Sequence, residues 1–313
     1  MLESLKEFIN VKDLWISYRV PRIWWFGYSD IDVVKGVSFS VSYGECYGLV
    51  GESGSGKTTI LKAFMRLVKP YRGSIYIDNV DIYKDDRWGK EIAKRIGYVS
   101  QDPLTSVDPR MKIKDIVAEP LIALGVDREK AVERVATLLE LVGLNIEIMD
   151  KYPFELSGGM LQRVIITRSI ISNPKLVLLD EPTSALDVIT QAQILKLLKD
   201  LKDMMNFTYI LVTHDLNVAR YISNRIGVLL KGYLIEEGGV KRIISEPLHP
   251  YTKIIVDAFK LKDVGELRYS STGCPLYTVC KYREDICGRE MPPPIHINGD
   301  VVRCWYFKNF KNR

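Results

Sequence analysis

The run Gly51-Glu52-Ser53-Gly54-Ser55-Gly56-Lys57-Thr58-Thr59 constrains this chain more than any other stretch. It fits G-x-x-x-x-G-K-[ST], the pattern of a phosphate-binding loop. The flanks agree. Cys46–Val50 is an apolar run that reads as a buried strand, and Ile60–Val68 has helical composition. A strand that enters such a loop and a helix that leaves it let successive backbone N–H groups and a positive dipole end converge on an anion. Glycine keeps Cβ atoms out of the way of that anion. Lys57 is then placed for the β- and γ-phosphates, and the Thr58 hydroxyl for Mg²⁺.

Three further strands are read from apolar content, each ending in a polar residue. Ile96–Ser100 ends at Gln101, Leu176–Leu179 at Asp180-Glu181, and Tyr209–Thr213 at His214. Continuous apolar strands are buried on both faces, as in a parallel sheet covered by helices. Polar residues at the carboxyl ends of such strands converge on the ligand crevice. Asp180 is thus a candidate for Mg²⁺, Glu181 for orienting or deprotonating water, Gln101 for bridging metal and water, and His214 for the γ-phosphate. Any one of these, taken alone, is as well explained as a loop residue.

Between Gln101 and about Thr167 the pattern is helical. Val132, Val135, Leu139 and Val142 recur at helix spacing behind a capping Asp127. Ser157 can cap a helix that opens with Gly158-Gly159, a second anion-binding N-terminus. A further helix is read at Ala192–Met204, with Ile194, Leu198 and Leu201 on one face. Ahead of the loop, Phe8–Tyr18 and Val37–Val41 alternate as strands that can cover an adenine. Tyr18 is the candidate to stack on the base, or else only a sheet residue. Gly73–Ile82 reads as a hairpin turned at Asp78-Asn79, and Ile226–Glu236 as one turned at Lys231-Gly232. Alternating strands and helices give an α/β core.

Composition closes some classes. At 47% hydrophobic and 27% charged, the 313 residues have an ordinary globular profile. No run reaches the ~18 apolar residues of a spanning helix. The first residues carry acids and no clean apolar core, unlike a secretory signal. A net charge of +5, with acids and bases interspersed, does not announce nucleic acid. The expectation is a cytosolic protein that meets the membrane through partners.

Taken together, Gly51–Thr59, Gln101, LSGGM at 156–160, LVLLDEP at 176–182, SALD at 184–187 and His214 resemble the nucleotide-binding subunit of an ABC transporter over about residues 8–260. The resemblance implies a cassette of residues 1–262. It has an antiparallel β subdomain and an inserted helical subdomain at about 102–172, and residues 263–313 follow as a cysteine-rich extension. It implies ATP and Mg²⁺, held by Tyr18, Gly51, Ser53, Gly54, Ser55, Gly56, Lys57, Thr58, Thr59, Gln101 and Asp180. Glu181, His214 and Gln101 would serve catalysis. In a head-to-tail dimer, homomeric or with a second ATPase subunit, Ser157, Gly158, Gly159 and Gln162 would meet the partner's nucleotide, with Asp187 at the seam. Gln101-Asp102-Pro103 would contact a permease fed by an extracytoplasmic solute-binding protein. The chain would then lie peripherally on the cytoplasmic face of the membrane.

QDPLTSVDPRM at 101–111, DEPTSALDVITQAQIL at 180–195 and HPYT at 249–252 are similar to the peptide and nickel importers of that family. Peptide import is the implied role. Oligosaccharide or nickel import is an alternative, and an ABC ATPase that acts on ribosomes or DNA, or a non-catalytic partner, is a remoter one. One cassette without a coiled coil, and an intact Glu181 and signature, speak against the last two. Cys274, Cys280, Cys287 and Cys304, spaced C-x5-C-x6-C-x16-C, resemble the tail of relatives with a [4Fe–4S] cluster. The lack of C-x2-C pairs favours iron–sulfur over zinc, with metal-free thiols or disulfides as the further alternative. Cys46 reads as a core residue. Trp24-Trp25-Phe26 reads as a packed hairpin tip or a protein-contact patch.

Overall fold

A computed structural model gives the structure of the chain and describes residues 7–21, 27–85, 88, 94–259 and 268–310. Trp24-Trp25-Phe26 lies outside the described residues. The chain divides into two compact units, each gathered from separate stretches of sequence.

The first unit takes in Phe8, Val41–Cys46 and Val80–Val212, the last stretch opening with the two-residue β5 (Val80–Asp81). Its sheet is parallel, in the order β6 (Ile96–Val99), β7 (Leu176–Asp180), β8 (Thr208–Thr213). Register runs Ile96 to Leu176 and Leu176 to Thr208. Every residue of β7 and β8 is buried, as their unbroken apolar runs require. Between β6 and β7 stand α2 (Ile113–Ala123), α3 (Arg128–Leu141) and α4 (Gly158–Ile170). A Cβ at Gly97 would lie 2.2 Å from the Ser169 carbonyl oxygen, so α4 presses directly on the β6 backbone. Helix α5 (Val188–Met205) buries Ile194, Leu198 and Leu201 as read, with Leu195 beside them. It starts four residues before the stretch read from sequence, because Asp187 caps it.

Asp127 caps α3 by accepting from the amides of Glu129 and Lys130. Replacing it with Ala removes both bonds and costs about 1 kcal/mol at that helix end. The expected readout is faster amide exchange at Glu129 and Lys130, with protection of Leu138 unchanged.

The second unit takes in residues 9–40, 47–79 and 213–313. In one sheet β1 (Glu7–Pro21) lies between β2 (Tyr28–Ser42) and β4 (Arg72–Ile77). Strand β2 begins nine residues before the alternating stretch. Its first half is largely exposed on both faces, so no period-2 signal marks it. In β4's turn, Asp78 and Asn79 take positive φ of 53° and 63°. The other strands run β11 (Ile295–Ile297), β12 (Asp300–Val302), β10 (Tyr233–Gly239), β9 (Arg225–Leu230), β3 (Cys46–Val50). Strands β3 and β9 are parallel, and β9 and β10 form a hairpin turned at Lys231-Gly232. The outer two strands come from the cysteine-bearing tail, with Glu236 opposite Val302.

Helix α1 (Lys57–Phe64) starts at the phosphate loop and stops short of Val68, the end of the stretch read as helical, because Arg66 turns left-handed at φ 57°. After β8 come α6 (Leu216–Ile222), α7 (Val240–Ser245) and α8 (Pro250–Phe259), and the chain ends in α9 (Trp305–Phe310). One hydrophobic cluster joins Val50 of β3, Leu216, Ile226, Tyr251 and Val256 to Cys274, Cys287 and Trp305. Cys46 is fully buried, as its strand position suggested. Among the described residues no helix is long and apolar enough to cross a membrane.

Candidate functional site

In the second unit the phosphate loop leads from β3 into α1. Gly54 and Gly56 hold φ of 76° and 105°, which L side chains rarely adopt. A Cβ at Gly51 would lie 2.4 Å from the Leu229 carbonyl oxygen. Among the described residues no side chain caps α1, and the start of a helix is where backbone N–H groups and the dipole favour an anion. Lys57 is 5% exposed and its Nζ donates to the carbonyls of Gly51, at 2.8 Å, and Glu52, at 2.9 Å. The ammonium therefore sits folded over the loop's own backbone. The Ser55 hydroxyl is buried and has no hydrogen-bond partner among the described residues, and a phosphate oxygen is the kind of group that satisfies it. Thr58 is half-buried and Thr59 buried.

A cleft of about 540 Å³ opens against Gly51–Ser53. Exposed His214 and the following Asp215 and Leu216 line its other side, and Ile255 and Ala258 of α8 wall it. His214 thus faces the same space as the phosphate loop. Tyr18 is half-buried on β1 and does not line this cleft.

In the first unit Asp180 ends β7 and is 2% exposed. Tyr98 Oη donates to its Oδ2 at 3.2 Å. Burial, and then the Asp180 charge, push the Tyr98 phenol well up, so it stays a donor. Tyr98 was not anticipated from sequence. Its signal is positional, since it lies opposite Leu178, two residues before Asp180. Glu181 takes the left-handed conformation at φ 45° and donates its N–H to Val212 O at 2.9 Å. A bulky non-glycine residue in that region stores strain, a feature concentrated at functional sites. Gln101 is brought to it, with Nε2 3.4 Å from Glu181 Oε2.

Ser157 caps α4 by accepting from the Met160 amide at 3.3 Å, and Ser157 and Gly158 are exposed. A Cβ at Gly159 would lie 2.5 Å from Thr190 Cγ2, so this segment packs on the start of α5. Thr190 Oγ1 in turn donates to Asp187 Oδ2 at 2.6 Å. That hydrogen bond leads the causes that hold the Asp187 carboxyl below its usual range. Gln162 is 1% exposed on α4, and its Nε2 has no hydrogen-bond partner among the described residues.

The four tail cysteines come together, with no disulfide among them. All line a small cavity of about 20 Å³ with His249 and Trp305. Burial pushes the Cys274 thiol up to about 11 and Cys304 up to about 12, and Cys280 rises too. Among the described residues no group of three or more His, Cys, Asp or Glu side chains is arranged to hold a metal ion. His249 is held neutral, its pKa lowered to about 3 by burial, and its Nδ1 accepts from the Tyr251 amide.

Residues 34–184 match the family model described as ABC transporter. Residues 235–287 match that described as oligopeptide/dipeptide transporter, C-terminal region. The chain is 38% identical over 282 residues to the oligopeptide transport ATP-binding protein AppF of Bacillus subtilis, which covers 84% of this chain and 85% of that one. It is 33% identical, over 96% of its length and 98% of the relative's, to the di/tripeptide transport ATP-binding protein DppF of Pseudomonas aeruginosa. Among solved structures, a dimeric post-hydrolysis ATP-binding cassette bound to ADP and Pi is similar, at a TM-score of 0.66 and 33% identity. That likeness covers 74% of this chain and 98% of the cassette.

Proposed function

The chain belongs to the ABC transporter family of ATP-binding proteins, and from that premise we propose that it is the ATPase subunit that powers import of di- and oligopeptides through a membrane permease. The observation that carries the ATPase reading is the phosphate loop itself, with Lys57 poised on its carbonyls and a cleft shared with His214. The match of residues 235–287 to a peptide-importer C-terminal region favours peptides over oligosaccharides or nickel.

In this reading the loop N–H groups, Ser55 and Lys57 bind the triphosphate. Lys57 exchanges its backbone acceptors for phosphate oxygens. Thr58, Gln101 and Asp180 would hold Mg²⁺, whose charge offsets that of the β- and γ-phosphates. The buried Asp180 carboxylate, with Tyr98 as donor, fits such a ligand. Glu181 orients a water for in-line attack on the γ-phosphorus and takes up its proton, with Gln101 fixing the carboxylate. The bond to the β-phosphate oxygen breaks, and ADP and phosphate leave. His214 supports the γ-phosphate.

Ser157, Gly158 and Gly159 present N–H groups to the nucleotide of a second subunit, with Asp187 at the seam. ATP then stabilises the closed dimer by bridging two half-sites, and its hydrolysis removes the bridge. Residues 1–262 would act as the cassette, and Tyr18 would stack on the base. The assembly would sit peripherally on the cytoplasmic face.

Reconstitution with peptide-importer permeases and a solute-binding protein tests this reading. ATP turnover is expected to rise with added peptide and to ignore oligosaccharide and nickel. Stimulation by either of the latter alone reassigns the cargo.

For the tail, Cys274, Cys280, Cys287 and Cys304 are proposed as thiolate ligands of a [4Fe–4S] cluster. Four thiols converging on one cavity support the donor chemistry. The cavity of about 20 Å³ is smaller than a cluster as the side chains stand, so loading must spread them and remove protons that burial now retains. Anaerobically purified protein should carry iron and acid-labile sulfide with a broad visible absorption. Stoichiometric zinc, or no metal at all, refutes it.

A further inference from the structure

The tail reaches back to the phosphate loop through one side chain. Tyr269 Oη donates to Glu52 Oε1 at 2.6 Å. Glu52 is the second residue of the loop, and its carbonyl already accepts from Lys57. Tyr251 of α8 lies beside the same carboxylate, and burial and the Glu52 charge hold both phenols up. Lys231 sits 4.5 Å from the centre of the Tyr269 ring and holds its face. The stretch around Tyr269 is itself tied to the cysteine loop. Ser270 N donates to Pro275 O at 2.8 Å, and the Thr278 hydroxyl donates to Arg268 O. Cys274 N donates to Cys287 O at 2.7 Å within the same loop.

A carboxylate in a triphosphate-binding loop is an electrostatic liability, since like charges at close range disfavour the anion. A charge-assisted hydrogen bond from a half-buried phenol both fixes such a carboxylate and takes up part of its charge. We propose that Tyr269 is a positioning residue for the phosphate loop, which holds the Glu52 carboxylate against the cysteine-bearing extension so that the loop accepts ATP. The extension thereby sets nucleotide affinity without touching the nucleotide. This inference rests on the loop being the ATP site.

The test uses the full chain and four proteins: parental, Tyr269→Phe, Glu52→Gln and the double variant. ATP affinity is measured by equilibrium binding and steady-state kinetics. Tyr269→Phe frees the carboxylate and should weaken ATP binding about three- to tenfold, the scale of one ordinary hydrogen bond. The loss should appear in KM, with kcat within about twofold, because Tyr269 touches no reacting atom. Glu52→Gln carries no charge to restrain, so Tyr269→Phe should add no further loss in that background, whatever the affinity of Glu52→Gln itself. The double variant should bind like Glu52→Gln alone, since non-additivity marks a shared interaction. Tyr282→Phe, in the same extension but tilted against Tyr306, should leave KM unchanged. Equal affinity of Tyr269→Phe and parent, or an undiminished loss in the Glu52→Gln background, overturns the inference. A parental chain that binds no ATP refutes the loop's assignment itself, which keeps the two failures apart.

Discussion

Replacing Glu181 with Gln should lower ATP turnover at least about a hundredfold, the scale of a lost general base or water-orienting carboxylate. The amide keeps the shape and can still bond Gln101, but it neither accepts a proton nor draws a water with charge. The left-handed backbone at Glu181 is a property of the chain's path between β7 and the turn that follows, so the variant keeps the fold. ATP affinity should remain within a few-fold of the parent, and with ATP present the variant should accumulate as a dimer. Size-exclusion chromatography with and without ATP, beside a phosphate-release assay, reads both outcomes. Parental turnover in Glu181→Gln would remove Glu181 from the reaction and shift attention to His214, which faces the cleft.

The second large effect concerns stability. Glu236 is fully buried on β10 and pairs with Arg242 of α7. It also accepts from the amides of Leu248, at 2.9 Å, and His249, at 2.8 Å. One carboxylate thus satisfies a guanidinium and the backbone that leads into α8. Glu236→Ala leaves Arg242, 24% exposed, with Asp300 and the Glu246 carbonyl as its remaining partners, and takes the acceptor from the part-buried Leu248 N–H and the buried His249 N–H. Breaking one side of a buried pair costs about 3–5 kcal/mol. Urea unfolding should show a loss of that size, and amide exchange should speed up most at Leu248 and His249. Arg242→Ala should cost as much or less, because it strands the carboxylate but keeps both backbone bonds.

The parts of this molecule that follow from local chemistry were readable in advance. Strands β3, β7 and β8 announce themselves because burial on both faces demands unbroken apolar runs. The phosphate loop is readable because its glycines answer to backbone conformation, and Asp127 and Ser157 because a cap needs a particular side chain at a particular place. What escaped depends on partners far away in sequence. Strands β11 and β12 have three residues each, too few for a period, and become strands only by pairing with β10. Tyr98 reads as one more strand residue until parallel register brings it to Asp180. Tyr269 and Glu52 lie 217 residues apart, and nothing local to either hints at the other. The burial of Gln162 was hidden for the complementary reason, since a motif records residue types and α4 decides which of them face inward.

The place of β12 has a practical consequence. With β11 and β12 laid along it, β10 is an interior strand, and its outward N–H and C=O groups are spent on the tail. A protein shortened to end before Ile295 would carry β10 as a raw border of unpaired peptide groups, a template for joining copies of itself. Such a product should precipitate or form ladders of subunits even if its nucleotide chemistry is sound. Trimming the cysteines away would therefore confound the loss of a cluster with the loss of a hem, and single Cys→Ser exchanges are the cleaner way to ask what those thiols do.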